Sequence, residues 1–249
     1  MNLIQTTKPT DRQKEDMEQL LASCKSMEPL SLSAPVEDDL EYNIFLLYDG
    51  SFLAAMAFLF FPGDGRCECC CFVEPSRRRK GCFTRLMDRC LDLVEACEKE
   101  QGCQLDFCFL VDEKTPSAKA VMEAIGAEYW YSEHKMERRL TAKDREPAMS
   151  SLTIKKEEDN LYCALLGDKL IGTCGILPSQ HEIYLYAFQI HEDFRGKGYG
   201  GEFLRGMLSV LAGMGEKVSL QVSGTNYIAR NLYKKTGFRN TESLSCYLY

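Results

Sequence analysis

Seven consecutive residues, Arg195-Gly196-Lys197-Gly198-Tyr199-Gly200-Gly201, hold four glycines and two cations. The apolar run EIYLYAFQI precedes them and the amphipathic run EFLRGMLSVLAGM follows, so the segment reads as a strand-to-helix loop. Glycine lets a ligand approach the main chain, and the following helix offers unpaired N–H groups and the positive end of its dipole. That combination suits a phosphate or pyrophosphate. Arg195 and Lys197 add charge, one as a fixed fork and one as a mobile point. A glycine-rich turn with no ligand is the plain structural alternative. The residues also satisfy G-x-G-x-x-G, but the next strand, KVSLQVS, carries Gln221 and Ser223 and lacks the acidic residue a dinucleotide site expects. No G-x-x-x-x-G-K-[ST] loop occurs.

Two halves with one order of elements must position this loop. The polar stretch Thr141 to Ser151 separates them, which places a first domain at 1–140, a linker at 141–150 and a second domain at 151–249. The first half opens with a helix from Thr10 to Lys25, capped by Thr10 and burying Met17, Leu20, Leu21 and Cys24. A hairpin turning at Asp49-Gly50 follows, then the strand CECCCFVEP, the loop SRRRKGCF, a helix near 84–99, the strand CQLDFCFLV and a short helix at 117–124. The second half repeats this order from a hairpin at Gly167-Asp168 and ends on the strand SLSCYLY. Gly198 and Gly237 answer to Gly81 and Gly126. Hairpins at the start of each half favour an α/β (α+β) fold of two tandem units, each a mixed, mostly antiparallel twisted sheet flanked by helices.

The stretch IHEDFRGKGYGGEFLRGML, followed by VSLQVSGTNYIARNLYKKTGF, resembles the GCN5-related N-acetyltransferase superfamily. Arg195-x-x-Gly198-x-Gly200 matches the loop pattern Q/R-x-x-G-x-G/A, and Asn226, Ala229, Leu232-Tyr233 and Gly237-Phe238 match the later motif. The resemblance implies acetyl-coenzyme A as donor, with the amides of residues 195–201 on its pyrophosphate. It implies the main chain of Phe188, Gln189 and Ile190 beside the pantetheine arm, Asn226 in contact with that arm, and Tyr233 protonating the departing thiolate. The acceptor is then an amine of a small molecule or peptide. Its base is open: Gln221 stands where some members have glutamate, and a neutral amide cannot take a proton. Glu182, at the start of EIYLYAFQI, is the candidate base, and Tyr184 and Tyr186 are candidates to line the acceptor pocket. In the first half, Arg78-x-x-Gly81-x-Phe83 is a worn copy of the loop, with Met122 where Tyr233 stands and Thr115 where Asn226 stands, so that half is expected to be non-catalytic. The runner-up function is a non-catalytic acyl-coenzyme A sensor or scaffold.

Composition excludes other classes. The chain has 249 residues and a net charge of −7, which repels a nucleic-acid backbone on average. No apolar run is long enough to span a membrane, and no signal peptide is evident at the start. Thirteen cysteines, an odd number, point to a reducing cytoplasm rather than to a disulfide framework. Cys67-Glu68-Cys69-Cys70-Cys71 lies in a strand that sends neighbouring sulfurs to opposite faces, so no metal site is expected there. Oligomeric state leaves no mark in the sequence.

Overall fold

The computed structural model describes residues 1–32, 42–146, 150–158, 160–179 and 182–249. The chain forms two compact units, residues 1–132 with 243–249, and residues 133–242.

The first unit begins with β1 (Asn2–Thr6), α1 (Asp11–Met27), β2 (Asn43–Asp49), β3 (Phe52–Phe60) and β4 (Arg66–Val73). It continues with α2 (Cys82–Gln101), β5 (Asp106–Asp112) and α3 (Pro116–Ile125). Thr10 caps α1 as expected: its hydroxyl accepts from Gln13 N while the Gln13 side chain accepts from Thr10 N, so two orphan donors are satisfied at once. Strands β1 to β4 pair antiparallel in order, and β4 pairs β5 in parallel. That parallel pairing stops at Cys69↔Phe109, so the last residues of the two strands are no longer partners. Cys67 and Cys69 point into the core with Cys90, while Cys70 and Cys71 are half-buried, and all thirteen thiols are free.

The second unit uses β7 (Thr153–Lys156), β8 (Leu161–Leu166), β9 (Lys169–Pro178) and β10 (Ile183–Ile190). The glycine loop, α4 (Tyr199–Leu211), β11 (Lys217–Ser223) and α5 (Tyr227–Lys235) follow. Its strand order is β6-β11-β10-β9-β8-β7, where β6 is Glu128–Arg139. Leucine, methionine and phenylalanine of α4 bury Phe203, Leu204, Met207, Leu208 and Leu211 against Ile183, Leu185, Val218 and Leu220 of the sheet. Each unit is therefore a mostly antiparallel sheet flanked by helices.

The units divide the chain elsewhere than at the expected linker. Strand β6 lies before the linker, yet its residues Lys135 to Arg139 pair along Lys217 to Gln221 of β11. The last strand, β12 (Arg239–Leu248), sends Leu244 to Leu248 to pair antiparallel with β5 of the first unit. Expected linker residues 142–145 form a 3-10 turn held to the second unit. Asp144 pairs with Arg138, and Arg145 Nε donates to Ala212 O at 3.1 Å. Linker residues 147–149 lie outside the described residues. The physical reason is edge satisfaction: β11 and β5 each need a neighbour for their main-chain groups, and β6 and β12 supply it. Among the described residues no helix is long and apolar enough to cross a membrane, and no cluster of His, Cys, Asp and Glu could hold a metal.

Candidate active site

The second unit's site starts from a parting of strands. Strands β10 and β11 are parallel partners only at Ile183↔Val218 and Tyr184↔Ser219. Beyond Tyr184 the side of β10 that faced β11 has no ladder partner, so an extended ligand arm can pair there as an added strand would. The opposite side of β10 pairs with β9, and its register slips between Tyr186 and Gln189. Ala187 sits at that slip with φ 48°, a left-handed conformation rare for alanine. Gly175 makes room for the bulge: a Cβ there would lie 2.2 Å from the Tyr186 ring.

The bulge turns Phe188 into the core, where it stacks on Phe203 at 4.9 Å and meets Tyr233 edge-on at 6.4 Å. Gln189 Nε2 donates to Thr173 Oγ1 at 3.1 Å, and Ile190 pairs with Gly172. Gly196 and Gly198 take φ 75° and 88°, closed to other side chains without strain. A Cβ at either would meet nothing within 4 Å, so the loop's outer surface is open to an approaching group. Gly201 N and Glu202 N bond back to Gly198 O at 3.0 and 3.3 Å, whereas the N–H groups of Tyr199 and Gly200 have no acceptor among the described residues. These are the free donors an anion at a helix start would use. The two cations brace the loop. Arg195 Nε donates to Ile190 O at 2.9 Å and Lys197 Nζ to Asp193 O at 2.8 Å. The outer guanidinium nitrogens of Arg195 have no partner among the described residues.

The parted strand, the loop and α5 converge. A Cβ at Gly200 would lie 3.6 Å from the Ile190 side chain and 3.5 Å from that of Leu232. Next to Leu232, Tyr233 is 6% exposed and packs its ring on Phe238 at 5.7 Å. Its hydroxyl has no hydrogen-bond partner among the described residues. Burial, with a smaller effect of Cys174, pushes its pKa up to about 12, so the phenol is protonated at neutral pH and is a donor there. Asn226 has a structural duty the sequence reading missed: its Oδ1 accepts from Ala229 N at 3.1 Å and caps α5, while its amide nitrogen has no acceptor among the described residues.

Glu182 stands in an ion-pair cluster. Lys135 Nζ lies 3.3 Å from its Oε1, and Lys217 Nζ lies 2.9 Å from its Oε2 in a contact of charge rather than an aligned hydrogen bond. Glu137 shares both lysines. Burial raises the Glu182 pKa, but Lys217 and Lys135 outweigh it and hold the carboxyl below its usual range. A carboxylate so held is a poor proton acceptor, which counts against the expected role as base. Gln221 accepts from the Tyr184 hydroxyl at 3.2 Å. Ser219, at the last paired position before the strands part, has a fully buried hydroxyl with no partner among the described residues. Its position follows from the register of β10 on β11, and a lone serine in KVSLQVS carries no signal of it.

A parallel strand pair that opens beyond its first residues, a bulged strand and a glycine loop at a helix start mark this unit. Residues 126–238 match the family model described as Acetyltransferase (GNAT) family. The chain is 41% identical over 64 residues to the Uncharacterized N-acetyltransferase YycN of Bacillus subtilis (strain 168). That match covers 25% of this chain and 41% of that protein. Among solved structures, a GCN5-related N-acetyltransferase from Sphaerobacter thermophilus superposes with TM-score 0.79 at 15% identity, over 99% of this chain and 95% of the other. A tandem GNAT protein from the clavulanic acid biosynthesis pathway superposes with TM-score 0.64 at 14% identity, over 100% and 98% of the two chains. At these identities the structural likeness is one of fold.

Proposed function

We propose that the second unit is an N-acetyltransferase, which moves an acetyl group from acetyl-coenzyme A to an amine of a small molecule or peptide by direct attack. The single observation that carries this reading is the convergence at Gly200: free amides of a helix start, the unpaired side of β10 and the helix bearing an unpartnered phenol meet within one site. In this reading the N–H groups of Tyr199 and Gly200, with Gly196, Gly198 and Gly201 shaping the loop, hold the pyrophosphate, and the outer nitrogens of Arg195 add charge. Lys197 is close enough to the loop to lend charge while its ammonium is braced by Asp193. The main chain of Phe188, Gln189 and Ile190 pairs with the pantetheine arm, and the Asn226 amide nitrogen touches it.

The amine nitrogen attacks the thioester carbonyl carbon, a C–N bond forms and the C–S bond breaks. Tyr233 gives its proton to the departing sulfur, and the proton lost by the amine leaves through water. Glu182 serves to hold Lys135 and Lys217 rather than to take that proton. The family match over 126–238 supports acyl transfer in this unit, and Met122 in the matching position leaves the first unit without the phenol. Purified chain incubated with acetyl-coenzyme A and a panel of amines, peptide N-termini included, should release free thiol. Tight binding of coenzyme A with no thiol released for any amine would reject transfer and leave a binding module.

A further inference from the structure

Strands β6, β11 and β10 of the second unit send alternate side chains to the two faces of the sheet. Met136, Val218, Leu220, Ile183 and Leu185 enter the core on the side of α4 and α5. Glu133, Lys135 and Glu137 of β6 lie on the other face, with Gln221 and Ser223 of β11 and Tyr184 of β10. The Tyr184 hydroxyl donates to Gln221 Oε1 across that face at 3.2 Å. In the first unit α1 covers one face of the sheet and α2 the other. Here both helices take the same face. Leu177, opposite Tyr184, and Leu161, opposite Gly175, are 57% and 46% exposed.

Three glutamates stand on this open face. Glu137 and Glu182 share Lys135 and Lys217. Glu133 is exposed and has no hydrogen bond or ion pair among the described residues. Its ladder partner is Ser223, well past Ser219, so it stands level with the stretch where β10 and β11 have parted. Burial, and next the charge of Glu133, raise the pKa of the Tyr184 phenol, so the field of this carboxylate reaches that ring. The nearest cation on its own strand, Lys135, is turned to Glu137 and Glu182.

In the proposed transfer the reacting amine meets the thioester in the gap between β10 and β11. Strands lie about 4.8 Å apart, so Glu133, one strand beyond β11, is offset from that gap by one and a half spacings, about 7 Å. This offset suits a group a few bonds along the acceptor rather than the reacting nitrogen itself. We propose that Glu133 determines acceptor specificity: its carboxylate holds a second positive charge, borne by the acceptor about 7 Å from the nitrogen that is acetylated. A diamine meets that description, and so does a peptide with a lysine beside its free N-terminus. The uncovered face gives such an acceptor room to lie across Gln221. The inference rests on acetyl transfer by the second unit.

The test is kcat/KM for thiol release with cadaverine, pentylamine and ε-aminocaproate, which place a cation, no charge and an anion at similar reach from one amine. Cadaverine should be preferred over pentylamine by at least about threefold, the scale of an exposed ion pair, and ε-aminocaproate should be the poorest. Glu133→Gln should bring the cadaverine-to-pentylamine ratio to about one, Glu133→Lys should invert it and Glu133→Asp should preserve the preference. If Glu133→Gln fails to fold, the wild-type ratio at low and high salt decides: it should shrink as salt rises, and a constant ratio counts against the ion pair. The amides of Ala-Lys and Ala-Glu make the same comparison for peptides. A larger preference within the peptide pair than for cadaverine over ε-aminocaproate assigns peptide acceptors, the reverse assigns diamines, and either supports the site. Thiol release with no charge preference, or a ratio unchanged in Glu133→Gln, overturns the inference and leaves the transfer standing. No thiol with any acceptor rejects the transfer, and the inference with it.

Discussion

Replacing Tyr233 by phenylalanine removes one oxygen from a ring that otherwise stays packed against Phe188 and Phe238. The hydroxyl has no partner among the described residues, so no intramolecular hydrogen bond is lost. Fold stability should therefore change by less than about 0.5 kcal/mol, or about 2 °C in Tm. The rate should change far more. A positioned general acid contributes about 100- to 10,000-fold, and at about 1.4 kcal/mol per tenfold that is about 2.7–5.4 kcal/mol of barrier. In the proposed mechanism the hydroxyl acts on the sulfur only as its bond breaks, so kcat should fall by that factor while KM for acetyl-coenzyme A stays within about threefold. Steady-state thiol release with a fixed amine, beside thermal unfolding of both proteins, reads all three quantities. A kcat within about threefold of wild type would remove Tyr233 from the mechanism. An equal loss of kcat and Tm would make it a packing residue.

Three other outcomes follow from the same geometry. Glu182→Gln should keep kcat within about threefold, because Lys135 and Lys217 already deny the carboxylate the basicity a proton acceptor needs; a loss of about 100-fold would restore it as the base. Gly198→Ala places a Cβ at φ 88°, which should cost about 1–2 kcal/mol, lower Tm by several degrees and weaken coenzyme A binding; an unchanged Tm would show the loop adopting another path. Acid should destabilise the chain. Glu28, Glu74, Asp144 and Glu182 all have folded-state pKa values below their ordinary ones, so the stability they add is present above the unfolded value, about 4, and is lost as pH falls through the lower folded values. Tm measured from pH 6 to pH 2 should fall most steeply below about pH 4, and Glu28→Gln should flatten that fall.

Much of this architecture is legible in the chain because its signals are local. The glycine loop, the Thr10 cap and the Asp49-Gly50 turn each act over a few residues, and helices α1 to α5 appear where the periodicity places them. Strand β6, EYWYSEHKMERR, is not legible, because Lys135 and Glu137 on its outer face look like loop residues until Glu182 and Lys217 arrive beside them. Strands β1 and β7 are too short to show a period. The exchange of β12 into the first unit depends on which strand edge is left unpaired, a property of no single stretch. The site divides the same way. Loop and phenol positions follow from spacing, whereas the bulge at Ala187 and the ion pairs that disarm Glu182 depend on contacts between distant strands.

The most direct measurement is a crystal structure of the chain with coenzyme A. The account predicts the pyrophosphate on the N–H groups of Tyr199 and Gly200, the pantetheine arm along Phe188 to Ile190, and the sulfur within about 4 Å of the Tyr233 hydroxyl, the reach of proton donation directly or on slight closure. Coenzyme A bound away from the 195–201 loop, or a sulfur on the far side of β11 from Tyr233, would contradict it.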